Sequence, residues 1–324
     1  MAELRYNPLL DDYVIINSNR QKRPDLALGG CAFCPGSGKV PDEGYGVMRY
    51  PNDFPCMSVN PPMPDDVATD FYKTEVAYGR CEVILYSDEH DKTVSELSDE
   101  NMYELAKVWK EVYEDFSLDE KIKYIMIFEN RGEAVGVTMH HPHGQAYGYG
   151  HMPLKILQKI ASSSKYKSEK GRCLFCDILA EEKSVGKRMI FENEYFSVFV
   201  PFFTEYPYGV YIFANNHIKS IAEADDEMLR ALGVTVKTVA GMYDNLFGYT
   251  FPYMMCMHNL PVNQKEEIDW HFHIEFYPPM RSEKSIKFNA SSETGAWAHC
   301  NPSCPEEKAA ELREAYKKYI EKNI

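Results

Sequence analysis

Phe128-Glu129-Asn130-Arg131-Gly132-Glu133-Ala134-Val135-Gly136-Val137-Thr138-Met139-His140-His141-Pro142-His143-Gly144-Gln145 is the stretch on which the reading of this chain turns. It leaves an apolar run, Tyr124-Ile125-Met126-Ile127-Phe128, that reads as a buried strand. It then passes through a loop punctuated by glycine, where backbone N–H groups can approach a phosphate closely. It closes on His-Pro-His-Gly-Gln, where the proline fixes the backbone beside each histidine. Two histidines two residues apart in an extended segment point to opposite faces. His141 can therefore serve one partner while His143 faces another. The combination suggests a nucleotide phosphate presented to an imidazole. A neutral imidazole nitrogen is a good nucleophile toward an α-phosphorus when its other nitrogen carries the proton and donates it to a nearby carbonyl. Gln145 can donate a neutral hydrogen bond to a phosphoryl oxygen but has no proton to give up, which favours a covalent nucleotidyl-histidine over rapid hydrolysis.

Outward from that stretch, a lone histidine and a pair of cysteines complete a pattern. Cys31-Ala32-Phe33-Cys34 lies upstream, and His90 precedes His141 by 51 residues. The order then recurs. Cys173-Leu174-Phe175-Cys176 is followed by His217, and His271-Phe272-His273 lies 54 residues beyond that. Both halves read CxxC, strands, lone histidine, helix, strand, loop and His-x-His, which predicts a duplicated α+β unit. We expect two histidine-triad-like halves, 1–165 and 166–324, each an antiparallel sheet with packed helices. Two thiolates and two imidazoles make a closed tetrahedral zinc site with no open position. The expected sets are Cys31, Cys34, His90 and His141 in the first half, and Cys173, Cys176, His217 and His271 in the second. Both zincs are expected to be structural.

The elements between these landmarks follow from local signals. Tyr13-Val14-Ile15-Ile16 reads as a short strand before a basic loop, Asn19 to Pro24. Glu75 to Gly79 and Cys81 to Tyr86 alternate like two paired strands. Ser98 caps a helix running to about Phe116, with Met102, Leu105, Trp109, Val112, Tyr113 and Phe116 at helical spacing. Residues 162–172 are polar and read as a linker. A second helix is expected from about Asp226 to Leu246.

Composition narrows the function. The chain has 324 residues, a net charge of −14 and nine cysteines. That charge argues against nucleic acid as a partner, though a nucleotide needs only a few local donors. No apolar run has transmembrane length, and the N-terminus lacks the apolar region of a signal peptide, so a cytoplasmic protein is expected. In such a compartment CxxC pairs favour metal over disulfides.

The residues also carry a resemblance. The chain resembles the galactose-1-phosphate uridylyltransferase branch of the histidine triad superfamily over nearly its whole length. The match rests on Arg20 to Pro24, Phe128 to Gly132, His141 to Gln145, Tyr243 to Phe247, Phe251 to Met254 and Phe276 to Pro279. It implies a ping-pong reaction in which His143 takes UMP from UDP-glucose, releases glucose 1-phosphate, and passes UMP to galactose 1-phosphate. By motif match, Asn130, Gly136, Thr138 and Gln145 would contact the nucleotide. Arg20 and Arg23 would hold the sugar phosphate. Lys287, Phe288 and Glu293 would reach the sugar end across a homodimer interface. The runner-up is an ADP-sugar phosphorylase or adenylyltransferase using the same His143.

The chain departs from the family pattern at three places. Better-known members bind a second, iron-type metal with the help of a glutamate soon after His-Pro-His. The corresponding region here, Leu154 to Ile160, has none. The family's His-x-His before Phe-Tyr-Pro-Pro is here His273-Ile274-Glu275. The family glutamine near the sugar falls around His299, which leaves the choice of hexose open.

Overall fold

The computed structural model describes residues 2–18, 30–137 and 139–323. Its centre is a nine-stranded antiparallel sheet to which both halves contribute. The first half supplies β3 (Met48–Pro51), β5 (Gly79–Leu85), β7 (His143–Tyr149) and β6 (Tyr124–Arg131), in that spatial order. The second continues with β11 (Tyr253–His258), β12 (His273–Tyr277), β10 (Val210–Ala214), β9 (Phe196–Phe199) and β8 (Met189–Glu192). The seam is the β6–β11 pair, in register from Tyr253 opposite Arg131 to His258 opposite Met126. Reading outward from it, each half repeats the same order, with a His-x-His strand second from the seam. A separate three-stranded sheet, β2 (Asp12–Asn17), β1 (Ala2–Asn7) and β4 (Thr74–Val76), packs through Leu4 against Phe128 and Tyr147.

One face of the large sheet carries α1 (Asp99–Ser117), α4 (Asp226–Phe247) and α6 (Pro305–Asn323). Ser98 accepts from the Asn101 N–H, and Asp99 and Glu100 lie in the positive first turn. A cap of this kind contributes about 1 kcal/mol. All six apolar positions expected on α1 are buried, with Trp109 fully so. α4 is capped in the same way by Asp225 on Met228. On the other face, α2 (Leu154–Lys170) and α3 (Leu174–Val185) cover a second core containing Tyr124, Phe175, Phe213 and Trp270. None of the described helices is long and apolar enough to cross a membrane.

Three local expectations are corrected. The stretches 75–79 and 81–86 do not pair with each other: β4 pairs with β1, whereas β5 lies between β3 and β7. Alternation reveals a strand but not its partner. Residues 162–170 continue α2 rather than forming a linker, because lysine, serine and glutamate on an exposed helical face interrupt nothing before Gly171. Strand β8 and helices α3, α5 (Ser291–Ala296) and α6 are additional to the elements read from the sequence.

Candidate active site and metal centres

The loop after β6 is shaped by two left-handed glycines. Gly132 (φ 90°) starts a 3-10 turn over Glu133–Val135, and Gly136 (φ 79°) ends it, its N–H donating to Glu133 O at 2.9 Å. A side chain at either position is strained. A buried network fixes the base of this loop. Arg131 Nη2 donates to both Asp244 carboxylate oxygens at 2.7 Å, and Ser95 donates to the same carboxylate at 2.8 Å. Glu129 is buried beside it and accepts from Tyr253 OH at 3.0 Å. Burial pushes the Glu129 carboxyl up to about 7, despite the opposing pull of Arg131. Asp244 entered the sequence reading only within the Tyr243 to Phe247 match; its pairing with Arg131, 113 residues away, is a finding of the structure.

The loop and the His140–His143 run line a cleft of about 680 Å³, closed from the second half by Tyr249, Pro252, Met280 and Ile286. Asn130 and His143 both line it. His143 is half-buried, and its Nδ1–H donates to the His141 carbonyl oxygen at 2.7 Å. The carbonyl that sets the tautomer is thus that of the histidine two residues before, which leaves the lone pair on Nε2. Gln145 Oε1 accepts from Tyr147 OH at 3.2 Å, so the oxygen end of that amide is engaged and its NH₂ end is the donor to offer. Gly136 is exposed on the loop. Arg20, Arg23 and Thr138 lie outside the described residues.

Lys287, Phe288 and Glu293 are not brought into this cleft. They line a separate hollow of about 360 Å³ with Arg281, Cys300 and Pro302. Lys287 pairs with Glu293 at 3.0 Å, and Phe288 is 73% exposed. Only Ile286 is common to both sets of lining residues.

The two cysteine–histidine sets assemble as expected. Cys31, Cys34, His90 and His141 present ligand atoms all within 4.8 Å of one another, as do Cys173, Cys176, His217 and His271. Cys34 Sγ lies 3.4 Å from His90 Nδ1 and 3.8 Å from His141 Nδ1. Cys176 Sγ lies 3.2 Å from His217 Nδ1 and 3.4 Å from His271 Nδ1. A sulfur and a nitrogen bonded to one tetrahedral zinc stand roughly 3.5 Å apart, so both sets fit that ion. The outer nitrogens are already committed. His141 Nε2 donates to Ser87 O at 2.7 Å and His271 Nε2 to Ala214 O at 2.8 Å, which turns each Nδ1 lone pair toward the thiols. Burial holds both imidazoles below their ordinary value, His271 at about 4, and so keeps them neutral as ligands must be. Cys176 sits in the first turn of α3, where the helix dipole works against the burial that pushes its thiol up.

A duplicated α+β sheet, a histidine oriented beside a glycine loop and paired cysteine–histidine sets suit a transferase that acts at a nucleotide phosphate. Profile matches extend this. The description "Galactose-1-phosphate uridyl transferase, N-terminal domain" matches residues 16–153, and its C-terminal counterpart matches 159–315. The chain belongs to the galactose-1-phosphate uridylyltransferase family. It is 37% identical to the galactose-1-phosphate uridylyltransferase of Thermotoga maritima over 316 residues, covering 97% of this chain and 98% of that one. The enzyme of the same name from Rattus norvegicus is 28% identical, covering 96% and 86%. Among solved structures, a uridylyltransferase aligns with a TM-score of 0.90 at 29% identity, covering 98% and 99%. An ADP-glucose phosphorylase from Arabidopsis thaliana shares the fold, with a TM-score of 0.73 at 23% identity, covering 97% and 99%. The expectations of family, fold class and a transferase are borne out.

Proposed function

We propose that the chain moves UMP from UDP-glucose to galactose 1-phosphate through a covalent uridylyl-histidine at His143. The observation that carries this is the 2.7 Å bond from His143 Nδ1 to the His141 carbonyl, beside a cleft of nucleotide size. The Nε2 lone pair attacks the α-phosphorus of UDP-glucose. The bond from that phosphorus to the bridging oxygen breaks, and glucose 1-phosphate leaves with the electron pair. The imidazole becomes cationic, and the His141 carbonyl stabilises the proton on Nδ1. In this reading the role of donor to the phosphoryl oxygens falls to Gln145 and to the N–H groups of the Gly132–Gly136 loop, and the nucleotide contacts to Asn130 and Thr138. A phosphate oxygen of galactose 1-phosphate then attacks the same phosphorus, the N–P bond breaks, and Nε2 recovers its lone pair.

Zinc is the metal that the two cysteine–histidine sets fit, one in each half. It supplies no open position for chemistry and acts by holding the fold. The first site anchors His141 and hence the carbonyl that orients His143. Lys287, Phe288 and Glu293 stand outside their own cleft, which favours a homodimer in which they serve the partner's sugar site, with Arg20 and Arg23 on the sugar phosphate. The division into halves at 165 and 166 and a cytoplasmic location belong to the same reading. UDP-glucose labelled at the α-phosphate is expected to leave label on His143 after acid-sparing digestion, and galactose 1-phosphate is expected to discharge it. Labelling from ADP-glucose with none from UDP-glucose would overturn the substrate assignment.

A further inference from the structure

The resemblance brings with it a second, iron-type metal, and His258, His273 and Glu275 form a third group of ligand-type side chains, all buried, with ligand atoms within 4.8 Å. These residues do not fit a metal ion, because the Lys159 ammonium occupies the position between Glu275 and His273 that the ion would take. Lys159 Nζ donates to Glu275 Oε1 at 2.7 Å and to His273 Nε2 at 3.1 Å. Nδ1 of His273 donates to the His271 carbonyl at 2.7 Å, so no lone pair on that ring is unused. Tyr277 OH donates to Glu275 Oε2 and itself accepts from Lys155 Nζ at 3.2 Å. His258 Nδ1 is 2.8 Å from Tyr124 OH, and its Nε2 is 3.1 Å from Glu275 Oε2. One turn apart on α2, Lys155 and Lys159 bring two ammonium groups to a cluster holding one carboxylate.

We propose that the Lys159 ammonium is the resident cation of this cluster, standing in place of a divalent metal and fastening the seam between the two halves. The placement supports the fastening role. Tyr124 comes from β6, His258 from β11, Glu275 from β12 and Lys159 from α2, so the cluster ties both sides of the β6–β11 seam to the helix that runs across the boundary between the halves. The charges also balance: a lone buried carboxylate is costly, and one ammonium in direct contact offsets it. A divalent ion added beside the lysine ammonium meets repulsion and finds no unused nitrogen on His273.

Metal analysis of the full chain, after dialysis against zinc and then cobalt, tests this together with thermal melting. Glu275→Gln is expected to retain the same metal content as the unaltered chain; loss of one equivalent per chain in that variant would overturn the proposal. Lys159→Met leaves Glu275 without its ammonium, and its melting temperature is expected to fall by roughly 5 °C or more. An unchanged melting temperature would refute the fastening role. Lys159→Glu adds a second carboxylate and removes the charge. It is expected to take up one additional cobalt ion per chain, seen in the visible spectrum, and to melt higher with cobalt than without. A folded Lys159→Glu chain that binds no additional ion would show that the lysine is not what excludes metal. If that variant does not fold, the comparison of Glu275→Gln with the unaltered chain still decides.

Discussion

His143 and His273 occupy equivalent places. Each is the first residue of the strand second from the seam, and each donates Nδ1–H at 2.7 Å to the carbonyl of a histidine two residues before it. That earlier histidine belongs in each half to a cysteine–histidine set. The two copies differ around the other nitrogen. His143 lines an open cleft and is followed at the second position by Gln145, a neutral donor. His273 is 1% exposed, lies among Phe175, Phe213 and Trp270, and turns Nε2 to the Lys159 ammonium. Its second neighbour is Glu275, a charged acceptor. The orienting bond is therefore shared scaffold. Access and a neutral neighbour make one copy suited to attack a phosphorus, whereas a cation and a carboxylate make the other a clamp.

The same substitution in both copies puts this contrast under the greatest strain. His143→Asn is expected to lower the UDP-glucose/galactose 1-phosphate exchange rate by on the order of 10⁴-fold or more, since it removes the nucleophile. His273→Asn is expected to leave kcat within roughly threefold while lowering the melting temperature, because Lys159 loses a buried partner. Exchange kinetics on the two purified variants decide it; loss of turnover in a folded His273→Asn chain would break the division of labour. Gln145→Glu makes the first copy resemble the second. A carboxylate placed against a phosphoryl oxygen forfeits a donor and adds repulsion, so kcat is expected to fall by about 10²-fold with the fold intact.

Much of the first copy was legible because its signals are local. Cys31-Ala32-Phe33-Cys34, His141-Pro142-His143 and the Ser98 cap each declare themselves within a few residues, and the repeat of ligand order disclosed the second half. The clamp was not legible for a physical reason. Lys159 sits in a polar helix where a lysine ordinarily faces water, and only tertiary packing turns it inward to Glu275, 116 residues away. The seam register and the Arg131–Asp244 pair are likewise long-range facts with no local trace.

The metal sets offer a smaller contrast. Cys34→Ser and Cys176→Ser are both expected to lower thermal stability, because each removes a ligand from a closed site. Only the first touches the histidine whose carbonyl orients His143. Cys34→Ser is therefore expected to lower kcat by a further 10- to 100-fold or so at a temperature where the chain stays folded, and Cys176→Ser to change it little. Equal kinetic losses in both would mean that the second site also governs the cleft.

The smallest effect concerns two tyrosine bridges that cross the seam in opposite directions. Tyr124 of β6 meets His258 of β11 at 2.8 Å, and Tyr253 of β11 donates to Glu129 of β6 at 3.0 Å. The first bridge abuts Glu275, whose carboxyl burial would push up but which Lys159 and His258 hold well below the usual range. The second bridge ends on Glu129, which burial pushes up from 4.5 to about 7. A raised carboxyl means that the folded chain keeps a proton the unfolded chain has released. Stability from this group is therefore full below about pH 4.5, declines as pH rises, and is lost above about pH 7. The size is on the order of 3 kcal/mol. Glu129→Gln stays neutral throughout, so its urea-unfolding free energy is expected to fall less than that of the unaltered chain between pH 5 and pH 8. Parallel pH profiles for the two chains would show that Glu129 is ionised in the folded state and that the seam carries a buried charge on each side.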